Sequence, residues 1–362
     1  MNGRLSLRVN RLTIQNLRNI SEADVSLSPT VNFFFGPNGA GKTTILEAVY
    51  LLARAKSFRK GHPSTQVRRG SQGLILFSEV ENSSSKRIRL GLQRKASKLQ
   101  MRLNGETVRR LSDLALSLPV ALVTPQTHRI LEEGPEFRRK LLNWGLFHVE
   151  HRYVDLLSSY NRVLLQRNHF LRSHTKGFEV WDRQLVQISN QIANLQSQYV
   201  LAWSRYASEL TSNVPAFSSL ELSFYPGWEP TQSLEELLCL KIESDRKQGY
   251  TSVGSHRTDI QVRIEGILAR NYLSQGQQKL LIILLMFAQA LYMLEKLGEA
   301  PVFLLDDLHS ELDPSSLECV LQAIKSHPLQ CLITGVDPPG SIVSGMISDT
   351  RMFHVEQGSI CG

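Results

Sequence analysis

Residues 31–44 read Val-Asn-Phe-Phe-Phe-Gly-Pro-Asn-Gly-Ala-Gly-Lys-Thr-Thr, an apolar run that ends in a glycine-rich segment. The apolar run predicts a buried strand, and a helix is predicted to follow from about Lys42 to Ala53. The segment between them fits the pattern G-x-x-x-x-G-K-[ST], which in a strand–loop–helix setting is typical of a phosphate-binding loop. This stretch therefore predicts an α/β protein with a nucleotide site at the start of a helix.

Each residue type in this loop has a chemical role in holding phosphate. The glycines let the backbone curl so that its N–H groups point at phosphate oxygens, and the positive end of the helix adds to the attraction. Lys42 supplies a charge for the β- and γ-phosphates and is expected to act in catalysis, while the Thr43 hydroxyl can bind Mg²⁺. We expect ATP to contact Gly36, Pro37, Asn38, Gly39, Ala40, Gly41, Lys42, Thr43 and Thr44.

Two carboxylates follow a second apolar run, Val302 to Leu305. A buried strand that ends in Asp is how phosphate-loop enzymes place a carboxylate beside the metal, so we expect Asp306 to hold Mg²⁺. Asp307 is expected to orient or deprotonate the attacking water. Taken alone, the same pattern is a strand meeting a helix cap. Aspartate is one methylene shorter than the glutamate more usual at the second position, and we infer slow hydrolysis.

Two further segments are candidates for the nucleotide site. Gln126 follows the predicted strand Val120–Thr124, and it is either a metal ligand or an ordinary turn residue after Pro125. Ser274, Gly276 and Gln277 open a predicted helix that runs from Ser274 to Leu297. A serine and a glycine at a helix start make a second anion site, although an ordinary N-capped helix has the same pattern.

The positive charge of the chain is concentrated in one block. Residues 54–110 hold fifteen Lys and Arg and three Glu, a local charge of +12 within a total of +8. Such a block indicates a polyanionic partner or, alternatively, a solvated basic face. That partner is a nucleic acid or, less readily, a membrane surface, and Arg68, Arg69, Arg87 and Arg89 are the candidate contacts to nucleic-acid phosphates.

Strand and helix patterns alternate near both ends of the chain, whereas residues from Pro135 to about Glu209 are helical and almost free of glycine. The predicted architecture is an α/β lobe built from residues 1–124 and 250–362, with an inserted, mainly helical lobe at 125–249. The four cysteines lie far apart, and neither a secretory segment nor a membrane span is expected. A cytoplasmic location is the simplest expectation.

The order of the motifs resembles the RecF family, which consists of ABC-type ATPases of bacterial DNA repair and replication without a long coiled coil. Leu273 to Gln277 is similar to the LSxGQ signature of ABC-type ATPases, and the segment from Ser310 to Asp313 resembles their D-loop. Thr334 stands where such proteins place a switch histidine, and His309 is either a contact across a dimer or a helix cap. Other matching segments are residues 16–19, 36–43, 46–48, 57–59, 138–150 and 254–259, with Ser255 in place of a proline.

The resemblance implies an ATP-dependent DNA-binding protein. In such proteins the signature serine contacts the γ-phosphate bound to the other subunit, so ATP would join two copies through Lys42 of one and Ser274 of the other. Arg18 and Arg59 would contact nucleotide, unless they are ordinary surface arginines. RecR and RecO are implied as partners at single-strand gaps, together with induction of the damage response. The alternatives are a transport ATPase subunit and a phosphate-loop kinase of a small metabolite.

Overall fold

The computed structural model describes residues 6–95, 98–173, 179–308, 312–338 and 349–362. They form two compact units. The first combines Met1–Thr127 with Met293–Gly362, and the second is His128–Tyr292.

A six-stranded, mainly parallel sheet in the first unit joins segments from both ends of the chain. Its strands are β3 (Val31–Phe35), β8 (Val120–Val123), β12 (Val302–Leu305), β13 (Cys331–Gly335), β14 (Arg351–Glu356) and β15 (Ser359–Cys361). The order is β15-β14-β3-β13-β12-β8, and only the β14–β15 pair is antiparallel. Strands β12 and β13 are fully buried, as the predicted continuous apolar runs require. Because β3, β13, β12 and β8 pair in parallel, their carboxyl ends all lie at the same edge of this sheet.

An antiparallel sheet of the order β2-β1-β4-β5-β6-β7 completes the strands of the first unit. Its members are β1 (Arg8–Leu17), β2 (Ile20–Ser26), β4 (Gly73–Glu81), β5 (Arg87–Lys95), β6 (Lys98–Leu103) and β7 (Glu106–Thr107). The residue patterns of 74–80, 86–92 and 99–103 predict three strands, and β4, β5 and β6 confirm them. Asn104-Gly105 after the third of these patterns predicts a hairpin turn. The structure confirms it, since both residues have positive φ, 52° and 90°, as a type I′ hairpin needs.

One hydrophobic core joins the two sheets of this unit. Helix α1 (Lys42–Arg54) contributes Ile45, Leu46 and Leu52, which are completely buried together with Leu76 of β4 and Leu304 of β12. Apolar side chains that alternate along β1, β4 and β5 supply the inner face of the antiparallel sheet. Helices α2 (Leu111–Ser117) and α11 (Pro314–Ser326) belong to the same unit.

The second unit is mainly helical, as predicted. Its helices are α3 (Arg129–Glu132), α4 (Pro135–Val149), α5 (Arg152–Ser173), α6 (Glu179–Thr211), α7 (Leu234–Leu240), α8 (Ile242–Gln248), α9 (Ala269–Tyr272) and most of α10 (Gln275–Leu297). A small antiparallel sheet has the order β11-β10-β9, with β9 (Leu220–Tyr225), β10 (Asp259–Ile264) and β11 (Ile267–Leu268). Short 3₁₀ turns lie at Pro63–Gln66, Pro215–Phe217 and Ser255–Arg257.

The boundaries of the second unit differ from the predicted 125–249. It extends to Tyr292, because residues beyond 249 pack on its own strands and helices. Strand β10 pairs with β9 along its whole length. The indole Nε1 of Trp203 in α6 donates to Leu285 O of α10 at 2.8 Å. Chain order alone placed residues 250–292 with the first unit, whereas strand pairing and helix packing place them with the second.

Helix α10 is apolar enough to raise the question of a membrane span. Its length and mean hydropathy of 1.9 meet that requirement, but 67% of the apolar stretch is buried inside the protein. A core helix of a globular protein has the same composition. In the sequence, the apolar run Leu280 to Ala288 is too short for a bilayer and is followed at once by Gln289, which predicts a buried helix. The structure confirms this, since each residue of the run is at most 6% exposed.

Candidate functional site

The loop between β3 and α1 has the backbone of a phosphate-binding loop. Gly36, Gly39 and Gly41 have φ values of 148°, 82° and 119°, which favour glycine. A Cβ on Gly36 would lie 2.1 Å from Val355 O, so only glycine fits there. Gly41 precedes α1 and provides no side-chain cap. The first N–H groups of the helix are therefore available to an anion.

Lys42 is held inside this loop by its own backbone. The ammonium Nζ donates to Gly36 O at 2.6 Å and to Pro37 O at 3.0 Å, and the residue is only 8% exposed. These carbonyl groups fix the long side chain along the loop, which reduces the entropy that phosphate binding would otherwise cost. The predicted phosphate contact of Lys42 is consistent with this position.

Asp306 meets Thr43 at the edge of the parallel sheet. The Thr43 hydroxyl donates to Asp306 Oδ1 at 2.9 Å, and the Thr334 hydroxyl donates to the same oxygen at 2.9 Å. Burial raises the pKa of Asp306, while the two hydroxyl groups oppose that shift. A threonine hydroxyl beside a carboxylate is the hard oxygen donor pair that Mg²⁺ prefers. The residues present therefore fit the predicted metal.

Asp307 occupies a turn that Thr334 stabilises. Its φ is 54°, in the left-handed region that aspartate tolerates better than most residues. Its backbone N donates to the Thr334 hydroxyl oxygen at 2.8 Å. Thr334 therefore contacts both residues of the Asp306-Asp307 pair. Its hydroxyl fixes the carboxylate turn, a role that the sequence did not predict, and the predicted sensing of the γ-phosphate stays a prediction.

Gln126 is exposed in the turn that follows β8. Thr124 and Thr127 close this turn, with Thr124 N donating to Thr127 Oγ1 at 2.8 Å. Because β8 lies directly beside β12, the turn and Asp306 follow neighbouring strands. Both predicted roles of Gln126, metal ligand and turn residue, agree with this position.

A buried carboxylate behind the phosphate loop was not predicted from the sequence. The side chain of Glu47 in α1 is fully buried, and both of its oxygens accept from Arg18, at 2.7 and 3.0 Å. Ser57 donates to it at 2.5 Å, and the Arg59 guanidinium lies 3.6 Å away. Arg59 is 43% exposed, and its charge weakly opposes the rise that burial causes in the pKa of Asp306. A lone acid within the apolar helix Ile45 to Ala53 was the signal that could have revealed this cluster.

Asn19 is a second residue whose role the sequence left open. Its Nδ2 donates to Gly39 O at 3.2 Å and to Ala40 O at 2.9 Å. Gly358, in the turn between β14 and β15, also donates from its N to Ala40 O at 2.8 Å. The phosphate loop is thus supported from outside by residues remote in sequence.

Ser274 caps the helix that it precedes. Its hydroxyl accepts from Gln277 N at 3.3 Å, and Gln277 Oε1 accepts from Ser274 N at 3.0 Å. Ser274 is exposed, and nothing lies within 4 Å of where a Cβ on Gly276 would be. The structure thus shows the N-capped helix start that was the alternative interpretation, and the second anion site stays a prediction. The open space at Gly276 leaves the helix start accessible to a ligand.

The predicted D-loop is described only at its end. His309, Ser310 and Glu311 lie outside the described residues. Asp313 caps α11 by accepting from Ser316 N at 3.0 Å. Hydrogen bonds from Ser315 and Ser316 hold the pKa of Asp313 well below its ordinary value.

The basic block does not form one continuous patch. Arg87 and Arg89 point outward from β5, level with the start of β1. Arg68 and Arg69 are exposed on the segment that bonds to the other end of β1, where Arg68 N donates to Asn16 O. From the strand pairing, the two pairs are separated by roughly 15 Å or more along β1. Arg94, in the same block, is buried on the inner face of β5, and burial lowers its pKa.

Comparison with known proteins identifies the family. Residues 8–360 match the family described as RecF/RecN/SMC N terminal domain. The DNA replication and repair protein RecF of Shewanella pealeana is 32% identical over 357 residues, covering 98% of this chain and 99% of the relative. RecF of Shewanella baltica is similar to the same extent. The chain belongs to the RecF family.

Solved structures show the same fold. The structure of the recombination mediator protein RecF with ATP superposes with a TM-score of 0.85 at 24% identity, over 99% of this chain and 98% of that one. An Smc head domain derived from Pyrococcus furiosus superposes with a TM-score of 0.63 at 14% identity, over 98% and 95%. The predicted ABC-type α/β fold and the predicted resemblance to RecF are confirmed.

Proposed function

We propose that this chain is an ATP-switched DNA-binding protein of DNA replication and repair. The observation that carries the proposal is the contact between Thr43 of the phosphate loop and Asp306 of the carboxylate strand, which are 263 residues apart in sequence. This contact unites a loop built for phosphate with a carboxylate suited to a divalent cation. The full-length relatives named RecF and the structure solved with ATP support the same conclusion.

ATP would bind through the loop of residues 36–44, with Lys42 opposite the β- and γ-phosphates. Thr43 and Asp306 would hold Mg²⁺, which neutralises phosphate charge when it is bound. Gln126 is the remaining candidate ligand. Asp307 would orient or deprotonate the attacking water, and its short side chain favours slow hydrolysis. A weak, DNA-dependent ATPase is therefore expected.

The γ-phosphate would link two copies of the chain by contacting both. Ser274, Gly276 and Gln277 of one copy would contact the ATP held by Lys42 of the other, giving two nucleotides in a symmetric dimer. The exposed helix start at Ser274 supports this role. Hydrolysis would remove the γ-phosphate and with it the contact between the copies. ATP is therefore expected to shift the population toward the dimer, whereas ADP is not.

DNA would bind to the exposed arginines of the antiparallel sheet and its flanking segment. Arg68, Arg69, Arg87 and Arg89 offer charge for phosphates without reading bases, so binding is expected to depend on salt and DNA structure. Duplexes and junctions of single and double strands are the proposed substrates. By family, RecR and RecO are the proposed partners in gap repair and induction of the damage response, in the cytoplasm. The full-length RecF relatives favour this function over a transport ATPase subunit.

A sizing experiment with light scattering tests the proposal. The chain is run with Mg²⁺ and ATP, with ADP, and with neither, in the presence and absence of a short duplex. Mass should double with ATP alone, and DNA should bind mainly to the doubled species. Lys42→Ala is the control and should remain at the single mass. An unchanged mass with uncleaved ATP bound would disprove the dimer switch.

A further inference from the structure

The outer face of the antiparallel sheet contains a depression with an aromatic floor. Phe77 of β4 points to this face, like Ile75, and is paired in register with Gly91 of β5. Gly91 is in turn paired with Arg102 of β6. Because Gly91 has no side chain, the space between Phe77 and Arg102 stays open, forming a cavity of about 470 Å³.

Arginines surround this floor. Arg87, Arg89 and Arg102 line the cavity and are all exposed at its rim. Two acidic residues of β4 lie on the same face: Glu79 is 3.8 Å from Arg89, and Glu81, which is paired in register with Arg87, forms an ion pair with Arg8 at 2.9 Å. Asn104 closes one end, and its Oδ1 accepts from the backbone N of Arg89 at 2.9 Å. The lining therefore combines three arginine side chains, which stay positively charged at any ordinary pH, with one accessible aromatic ring.

We propose that this cavity binds a single unpaired nucleotide of DNA. The base would stack on the Phe77 ring, and the adjoining phosphates would contact Arg87, Arg89 and Arg102. Cavities of this size accept small ligands, whereas the bases of an intact duplex are stacked inside the helix and present no free face. An unpaired base offers that face, and stacking on an aromatic side chain tolerates any base.

This inference rests on the proposed DNA binding and adds a substrate feature to it. Phosphate contacts alone attract duplex and single strands alike. A stacking site among the same arginines adds preference for DNA that has an unpaired nucleotide next to a duplex. An acidic peptide would use the three arginines but would gain little from the ring between them.

The test uses two short duplexes that differ by one unpaired 2-aminopurine. The full-length chain with ATP and Mg²⁺ should bind the bulged duplex about fivefold or more tightly than the perfect one, the effect of one stacking contact. The fluorescence of 2-aminopurine should also change on binding. Phe77→Ala should abolish both effects and leave binding of the perfect duplex unchanged.

Two further variants test whether the preference depends on the open space of the cavity. Gly91→Val places two methyl groups in the cavity, and a Cβ at this position meets Arg102 Cβ at 3.9 Å, an ordinary van der Waals contact. It should behave like Phe77→Ala. Ile75→Ala is the matched control, because Ile75 lies on the same strand face, is 43% exposed and does not line the cavity. It should keep the preference.

Equal binding of the two duplexes by the unaltered chain would overturn the stacking site while leaving the proposed DNA binding intact. A preference that persists in both Phe77→Ala and Gly91→Val would overturn it as well. Failure to bind either duplex would instead contradict the proposed function itself. Strong competition by polyglutamate that persists in Phe77→Ala, together with equal binding of the two duplexes, would assign the arginines of the cavity to acidic peptides and overturn the proposal.

Discussion

The hydroxyl of Thr334 donates to Oδ1 of Asp306 at 2.9 Å and accepts from the backbone N of Asp307 at 2.8 Å. One side chain on β13 therefore fixes both the orientation of the buried carboxylate and the turn that carries its neighbour. If Thr43 turns to Mg²⁺, Thr334 remains to hold Asp306. This arrangement makes Thr334 a positioning residue for the proposed hydrolysis.

Thr334→Val should test that role, because valine has a similar shape and lacks the hydroxyl. We expect ATP binding to persist and ATP turnover to fall on the order of tenfold, equivalent to about 1.4 kcal/mol. The measurement is turnover as a function of Mg²⁺ concentration. Thr334→Ser restores the hydroxyl and should recover most of the activity. Full turnover in Thr334→Val would show that the hydroxyl has no such role.

Asp306 and Asp313 should respond to pH in opposite ways. The folded-state pKa of Asp306 is raised by burial, so the folded protein takes up its proton more readily than the unfolded chain and gains stability from this group as pH falls. The pKa of Asp313 is lowered by hydrogen bonds, so its stabilising contribution is complete above the ordinary value of 3.8 and disappears as pH falls below it.

Two asparagine variants separate these effects. Without nucleotide, Asp306→Asn should melt at the same temperature as the unaltered chain or higher at neutral pH, because a buried charge is removed. Asp313→Asn should melt lower at neutral pH. Asp306→Asn should also lose the dependence of ATP turnover on Mg²⁺. A lower melting temperature for Asp306→Asn would contradict the assigned cost of its burial.

Glu47→Ala should destabilise the first unit. The substitution leaves the Arg18 guanidinium, whose side chain is 18% exposed, without its carboxylate partner. Removal of such a partly buried pair is expected to cost about 2–3 kcal/mol in the free energy of unfolding. Urea unfolding measures this quantity. Glu47→Gln keeps polar atoms in place, so its free energy of unfolding should lie between those of the unaltered chain and Glu47→Ala. Equal stability of the unaltered chain and both variants would show that the cluster is dispensable.

Ser274→Arg should block the proposed dimer without affecting the phosphate loop. The arginine would place a large side chain where the γ-phosphate of the other copy is expected. ATP binding should remain, and sizing with ATP should show only the single mass. Ser197→Arg, at an exposed serine of α6 in the same unit, is the matched control and should still dimerise. A normal dimer of Ser274→Arg would contradict the contact between subunits.

Charge reversal should distinguish the two arginine groups. Removing one phosphate interaction lowers the slope of log affinity against log salt by about 0.9. Arg87→Glu with Arg89→Glu, and Arg68→Glu with Arg69→Glu, should each reduce the slope for duplex DNA by about 2 if both groups bind it. Lys325→Glu, an exposed residue of α11, should change the slope little. Unaltered binding by one double variant would remove that group from the DNA surface.

The local pattern of the sequence determined the elements of the nucleotide site. The strand Val31–Phe35, the glycine-rich loop, the helix after it and the strand before Asp306 are all encoded by neighbouring residues, so periodicity and turn chemistry were sufficient. The hairpin at Asn104-Gly105 and the capped start of α10 follow for the same reason. The family resemblance came from the order of these local motifs along the chain.

Tertiary structure alone decided which distant residues meet. Parallel pairing of β13 with β12 brings Thr334 to Asp306, and folding of α1 against the antiparallel sheet buries Glu47 between Arg18 and Arg59. The strand pairing of the antiparallel sheet separates arginines that are close in sequence, and the pairing of β10 with β9 assigns residues 250–292 to the helical unit. Strand order and packing depend on how the whole chain buries its apolar side chains and pairs its backbone groups. They therefore involve residues far apart in sequence and cannot be predicted from any short segment.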